Sequence, residues 1–472
     1  MRLLAAILTL CAALVAVPAA AAARAYVLIG DGGPVARVVT AAATCPVLRV
    51  DGRDVAMAVR FAAATVPQRP TASTPERSKP SAFPVTVCEA RLPLETRRAS
   101  VGGVALPLPK RVVRRIVVIG DTGCRIKAAD NAAQACNDPV AFPFARIAAR
   151  AAAEKPDLVV HVGDYLYREN PCPGDGHGNA HRDARGCAGS PWGYGWDAWD
   201  ADFFTPAAPL LAAAPWAAVR GNHESCARAG QGWWRFLDGH VAVAATQTCD
   251  NPLEDQANDW SAPFAVGLGK GAQLVVLDLS IAPNKPLAAD DWRAAAFEAS
   301  YQALAGFAAQ ARFTIAADHQ PILGFSANIG NGTTNLVGGN VGIQSVWGRH
   351  GVRQLPPGVS LLLSGHYHLW QQVGFAGDVP SQFITGFSGT LEDVVPLPDP
   401  LPTPASPAPG VTATSFASWV DGFGYMVLDR VSTSHWRATV HAADGRIVDR
   451  CRIDGTASRC TVARVPAEPT HP

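Results

Sequence analysis

Short apolar runs recur along this chain, and the way polarity changes between them divides it into two regions. From Arg111 onward, β-branched or wholly apolar runs alternate with longer helical stretches. The runs are Arg115–Ile119, Leu158–Val162, Trp216–Val219, Leu274–Leu279, Phe313–Ala316 and Val359–Leu363. Runs apolar throughout suit strands buried on both faces, as in a parallel sheet covered by helices. Ala141–Glu154 is Ala-rich and helical, and Asp290–Arg312 is a longer helical stretch whose acids Asp290 and Asp291 suit a helix N-terminus. Repeated βαβ units predict an α/β fold with a largely parallel inner sheet. Before Arg111 the runs are shorter (Tyr26–Ile29, Val35–Val39, Val55–Phe61, Val85–Val87), and Pro and Ser cluster over Pro67–Pro84. That pattern predicts a separate small β-rich domain over residues 26–110, ahead of a catalytic-sized domain over 111–455 and a tail over 456–472. Gly30-Asp31-Gly32-Gly33 reads as a turn. The Pro-rich residues 396–410 read as an exposed, semi-rigid loop. Gly424–Val448 alternates around Ala443-Asp444-Gly445 and predicts a closing hairpin.

Polar signatures stand where the apolar runs stop. They are Gly120-Asp121-Thr122-Gly123, Gly163-Asp164-Tyr165-Leu166-Tyr167, Gly221-Asn222-His223-Glu224, Asp318-His319 and Gly365-His366-Tyr367-His368. Asp, Asn, His and Tyr are ligands for hard and borderline cations, and open α/β sheets bind ligands beyond the carboxyl ends of their strands. Taken singly, Asp121, Asp164 and Asn222 read as helix caps, Tyr167 as packing, and His319 and His366 as core histidines. In this order and company they read as a metal site. Two neighbouring cations can clamp the attacking and leaving oxygens of a phosphoryl transfer. A strand-end carboxylate can bridge them, one oxygen toward each, and an adjacent histidine can protonate the leaving oxygen.

This set resembles the calcineurin-like metallophosphoesterases, and among them most closely the purple acid phosphatases. Many relatives carry a histidine two residues after the first aspartate; Gly123 stands there, and Tyr167 takes the ligand role instead. The resemblance spans roughly residues 112–450. It implies a β-sandwich flanked by helices. It also implies a first metal held by Asp121, Tyr167 and His368, a bridging Asp164, and a second metal held by Asn222, His319 and His366. Fe(III) is implied at the tyrosine site, with Zn(II), Mn(II) or Fe(II) at the other. His223 would touch the substrate and act as general acid or electrostatic stabiliser, while Glu224 reads as structural. The implied activity is acid-phosphatase-like hydrolysis of phosphate monoesters by metal-activated hydroxide. The resemblance also implies further phosphate-gripping histidines after His319, but Gln320–Gly348 holds none. A phosphodiesterase or nucleotidase, which needs less gripping, is therefore the alternative. A non-catalytic metal- or ligand-binding protein is the alternative of another class.

Composition narrows the setting. A chain of 472 residues that is 48% hydrophobic can bury a large core, and a formal net charge of +1 with no basic stripe argues against a nucleic-acid partner. The expected partner is a small phosphorylated substrate; oligomeric state stays open. Residues 1–25 read as a signal peptide. Arg2 precedes the apolar run Leu3–Val17, which is short for a membrane span, and Ala23-Arg24-Ala25 offers a cleavage site. Export to the periplasm or medium follows, with no later membrane span. Cleavage leaves an even set of cysteines, and no Cys-x-x-Cys suggests zinc. Pairing each cysteine with its chain neighbour closes short loops: Cys45–Cys88, Cys124–Cys136, Cys172–Cys187, Cys226–Cys249 and Cys451–Cys460. The Cys172–Cys187 loop, with His177 and His181, and the run Trp192, Tyr194, Trp196, Trp199 form a candidate specificity element. Asn222, His223, His177, His181 and Trp196 are candidate substrate contacts, although the tryptophans also suit simple packing.

Overall fold

The computed structural model describes residues 23–173, 186–241, 247–330, 332–392, 395–398 and 400–462. Two sheets form its frame. The first takes β1 (Arg24–Gly30), β2 (Gly33–Thr40), β3 (Ala58–Phe61), β4 (Thr86–Arg91), β5 (Arg115–Ile119), β6 (Leu158–His161) and β7 (Trp216–Ala218). The chain then builds the second from β8 (Phe264–Gly269), β9 (Ala272–Val276), β10 (Phe313–Ala317), β11 (Val359–Ser364), β12 (Trp370–Phe375), β13 (Ser381–Thr385) and β14 (Ala413–Trp419). It returns to the first with β15 (Gly424–Arg430), β16 (His435–Ala442), β17 (Ile447–Asp454) and β18 (Ala457–Val462). Strand order is β18-β17-β16-β15-β5-β6-β7-β1-β2-β4-β3 in the first sheet and β8-β9-β10-β11-β13-β12-β14 in the second. β5, β6 and β7 run parallel, as do β9, β10 and β11.

Alternation along the strands assigns each side chain to a layer. Val118 and Val160 point inward and meet Leu274, Ile315 and Leu361 of the facing sheet. Val117 and Val159 point outward onto Phe144, Ile147 and Leu210, carried by α1 (Phe144–Ala153) and α2 (Thr205–Ala213). On the far side, Val275, Ala316 and Leu362 pack against Phe297, Leu304 and Trp347 of α3 (Trp292–Ala308) and α4 (Val341–Trp347). The result is the expected sandwich flanked by helices. The expected acids at the start of Asp290–Arg312 act one step earlier: α3 begins at Trp292, and Asp291 caps it by accepting from Arg293 N–H at 3.0 Å.

Several sequence expectations take another form. The N-terminal region is β-rich and divided: Val47–Val50, Arg53–Ala56, Ala99–Val101 and Val104–Ala105 form a four-stranded sheet of their own, while its other long strands join the first sheet. β1 pairs in parallel with β7, so β1, β2, β3 and β4 extend the catalytic sheet. A buried ionic network ties them down. Glu89 accepts from Arg37 at 2.8 Å and Arg60 at 3.0 Å, and Arg60 also reaches Asp238 at 2.9 Å. Arg37 and Arg60 further bind the Phe236 and Trp234 carbonyls. The leader expected to end at Ala25 overlaps β1: Arg24 and Ala25 pair with Val39 and Val38, and Arg24 reaches Thr205 Oγ1 at 2.9 Å. The expected tail starts with β18, whose Cys460 lies directly opposite Cys451 on β17. The Pro-rich stretch is anchored, because Ala405, Ala408 and Val411 enter the helix-covered core of the second sheet. Among the described residues no helix is long and apolar enough to cross a membrane.

Candidate metal centre

Each signature begins within a few residues of the carboxyl end of a strand: Asp121 after β5, Asp164 after β6, Asn222 after β7, His319 after β10 and His366 after β11. The backbone turns sharply there. Asp121, Asp164 and His366 hold φ of 53°, 60° and 70°. Side chains rarely adopt this left-handed region, and such strain clusters at functional sites. The signature glycines make room. A Cβ on Gly221 would lie 2.1 Å from Asp164 Oδ1, and one on Gly365 would lie 2.5 Å from Asp121 Oδ2.

The predicted ligands converge into two nests. In one, the Tyr167 hydroxyl lies 2.6 Å from Asp164 Oδ2, 3.2 Å from Asp121 Oδ1 and 2.9 Å from His368 Nε2. In the other, Asn222 Oδ1 lies 2.9 Å from both His319 Nε2 and His366 Nδ1. Asp164 Oδ2 is also 3.1 Å from His319 Nε2. Asp164 therefore belongs to both nests, but not with one oxygen for each: Oδ2 serves both, while Oδ1 accepts from His223 N–H at 2.8 Å. Asp164, His319 and His366 together form a group able to hold a metal ion.

The surroundings suit cations. His319 Nδ1 faces the Val162 carbonyl at 2.8 Å and His368 Nδ1 faces the Leu391 carbonyl at 3.1 Å, which leaves each Nε2 for a metal. Burial, reinforced by His319, pushes His366 down to about 3, so its ring is neutral and offers a lone pair. Burial and the carboxylates of Asp164 and Asp121 hold the Tyr167 phenol protonated far above its ordinary range, and a cation would reverse that balance. Two buried carboxylates beside a phenol are costly without positive charge. The donor set therefore fits two metal ions. Asp318 is no part of it: its Oδ1 accepts from Ser364 at 2.6 Å, and burial pushes its pKa up to about 7.

Glu224 is the strut of the site. It accepts from the N–H groups of Gly221, Asp164, Tyr165 and Leu166 at 2.8–3.2 Å, tying two ligand loops together. Asp202 does the same for the first loops, accepting from Cys124 N–H and Tyr167 N–H. All five expected disulfides are formed, and Cys124–Cys136 and Cys226–Cys249 brace ligand loops.

His223 stacks against Tyr167 with ring centroids 3.8 Å apart. Its Nδ1 lies 2.6 Å from Glu169 Oε1, a carboxylate that sequence reasoning passed over. Burial opposes ionisation of Glu169, but His223 and then Arg228 outweigh it and bring the pKa down to about 2. The available signal was position: Glu169 lies two residues beyond Tyr167, on the same ligand loop. Trp196 is turned to the helical layer rather than to the two cavities at the centre. It packs on Phe204 and Phe236, at 5.2 and 5.4 Å between centroids, and lines neither cavity at the centre. Trp199 is likewise buried, because the stretch is built to cover the helical layer. His177 and His181 lie outside the described residues.

Two cavities open at the centre. One, of about 310 Å³, is lined by Tyr167, His223 and His368, with Arg125 and Lys127 at its wall. The other, of about 460 Å³, runs along Arg228, Asn284, Trp292 and Gln320. They meet at Asn222 and His366.

A family model described as calcineurin-like phosphoesterase matches residues 114–369. A purple acid phosphatase, PPD1, from yellow lupin (Lupinus luteus) seeds is structurally similar at a TM-score of 0.50 and 14% identity, covering 95% of this chain and 77% of that one. PhoD is similar at a TM-score of 0.48 and 12% identity, covering 94% and 92%. No curated protein matches the chain.

Proposed function

The chain belongs to the calcineurin-like phosphoesterase family, and on that premise we propose that it is an exported acid-phosphatase-like enzyme that hydrolyses phosphate monoesters at a binuclear metal centre. The observation that carries the reading is Asp164 Oδ2, within 2.6 Å of Tyr167 and 3.1 Å of His319, shared by both nests. Asp121, Tyr167 and His368 would hold Fe(III), and Asn222, His319 and His366 would hold Zn(II), Mn(II) or Fe(II). When bound, such a pair supplies Lewis acidity and a nucleophile at neutral pH.

The chain's own groups do the rest. Glu169 faces His223 Nδ1 and orients the ring, which lines the cavity. His223 would donate to the leaving oxygen from Nε2 only as the doubly protonated imidazolium, a form that burial disfavours and the Asp164 and Glu169 carboxylates favour. His223 N–H, spent on Asp164 Oδ1, keeps the acid in register with the shared ligand. Disulfides and the leader-like N-terminus support export.

A phosphodiesterase or nucleotidase is the second reading, favoured by the paired cavities that meet at Asn222 and His366. A diester has two organic arms, and each cavity could take one. The test is turnover of a chromogenic monoester and its matching diester by metal-loaded protein, with Asp164→Ala alongside. Faster monoester cleavage abolished by Asp164→Ala supports the first reading. Faster diester cleavage supports the second. No turnover on either, with both metals bound, overturns both and leaves a non-catalytic binding protein.

A further inference from the structure

Positive side chains beside the metal ions can help to hold the non-bridging oxygens of a phosphate ester, and Gln320–Gly348 carries no histidine to do so. Resting on the hydrolase reading above, we propose that Arg228 grips the substrate's phosphate from the side of the larger cavity.

Arg228 is fixed to the catalytic loop. Its N–H donates to Ser225 O at 2.8 Å, and Ala229 N–H donates to His223 O at 3.0 Å, so the turn that follows His223 closes on itself. Cys226–Cys249 pins that turn. The side chain is 19% exposed and lines the cavity together with Asn222 and His366. Its Nη1 is enclosed yet makes no hydrogen bond among the described residues. The nearest acid, Glu169 Oε1, is 3.9 Å away, outside hydrogen-bond reach. Nη1 is turned toward Glu169 and shut off from solvent, so the exposed remainder of the side chain, which lines the cavity beside Asn222, is what an arriving anionic oxygen would meet. Burial works against the charge of Arg228, but Glu169 and then Asp164 hold it in place. Arg293, in the same cavity, is already spent on Asp291 through Nε and Nη2.

Glu169 thus stands between two roles. It faces His223 at 2.6 Å and Arg228 at 3.9 Å, and so sets the acid and the grip relative to each other. The guanidinium fork matches a tetrahedral oxyanion better than a point charge does. The grip would act on any phosphoric ester, and the cavity beside it would receive the organic group.

The experiment is calorimetric titration of inorganic phosphate into the metal-loaded full chain, together with KM and kcat on the chromogenic ester, for wild type, Arg228→Ala and Arg228→Lys. With metal content unchanged, Arg228→Ala should raise the phosphate Kd and the KM by about 10- to 100-fold, the range expected for one charge-assisted hydrogen bond. Arg228→Lys should recover only part of the loss. A folded, fully metallated Arg228→Ala protein whose Kd and KM stay within about twofold of wild type overturns the proposal. If the alanine variant does not fold, Arg228→Met, which keeps the apolar stem, is read against the same limits. Phosphate binding needs no turnover. A wild type that binds phosphate but cleaves no ester sinks the hydrolase reading, while the Kd shift still decides the role of Arg228.

Discussion

Glu224→Gln isolates the strut of the metal centre without changing its size. Oε1 accepts from Tyr165 N–H at 2.8 Å and Leu166 N–H at 3.2 Å, and Oε2 accepts from Asp164 N–H at 3.0 Å and Gly221 N–H at 3.1 Å. Glutamine keeps one oxygen, and its NH₂ must face two N–H donors. Two bonds to a charged acceptor are lost, each worth about 1.5–3 kcal/mol, and the surviving pair weakens to neutral bonds. With relaxation, a loss of about 3 kcal/mol is expected, which amounts to about 3 °C in Tm for a chain of this size. Whichever way the amide turns, the donors that come loose belong to a ligand loop: Asp164 and Gly221 on one side, Tyr165 and Leu166 on the other. The ligands should therefore shift as well, with kcat/KM falling on the order of 100-fold for a displacement near 1 Å. Scanning calorimetry of the apo protein reads the structural part, and metal titration with kinetics reads the positioning part. Burial and the Asp164 carboxylate push the Glu224 pKa up to about 8 in the metal-free protein, despite the backbone donors. The apo comparison is therefore made above that pH, where Glu224 is ionised; below it Glu224 is neutral and the substitution should be nearly silent. An apo Tm and a kcat/KM indistinguishable from wild type would refute the strut.

Gly221→Ala puts a Cβ 2.1 Å from Asp164 Oδ1, where ordinary contact begins at 3.4 Å; the shared ligand must move by more than about 1 Å, so metal stoichiometry should drop, as measured by elemental analysis. Glu169→Gln removes the carboxylate at His223 Nδ1, and kcat should fall on the order of 10- to 100-fold with metals retained. The fall should be steeper for an alkyl ester than for a nitrophenyl ester, whose leaving group needs no proton; equal losses would argue against an acid role. Chelation leaves Asp121, Asp164 and Tyr167 buried without a cation, so apo protein should melt lower and regain its Tm when metal is returned. Because Arg24 and Ala25 are part of β1, the mass of exported protein should place the mature N-terminus at or before Arg24.

The candidate metal centre was legible because its expected ligands are local events: a strand ends, a glycine makes room, and a candidate ligand follows. That geometry writes itself into consecutive residues, so Gly163-Asp164 or Gly365-His366 can be read without knowing the fold. What could not be read depends on contacts between distant segments. β1 reads as the start of a small β-domain because its apolar run resembles any short strand. Only its pairing with β7, far along the chain, makes it part of the catalytic sheet. The Pro-rich stretch looked exposed by composition, yet its few apolar residues were enough to seat it on the second sheet.

The same distinction separates the ligands from the residues that make them work. Asp164 is recognisable alone, whereas Glu169 and Arg228 acquire meaning only from what they face. A glutamate and an arginine on loops are ordinarily solvated charges. Here the fold buries Glu169 to 2% exposure of its side chain, sets His223 on one side and Arg228 on the other, and leaves one guanidinium nitrogen unsatisfied. The expected metal ligands explain where a phosphate would sit. The guanidinium of Arg228, held by the turn that carries His223, is the feature that gives that anion a reason to stay.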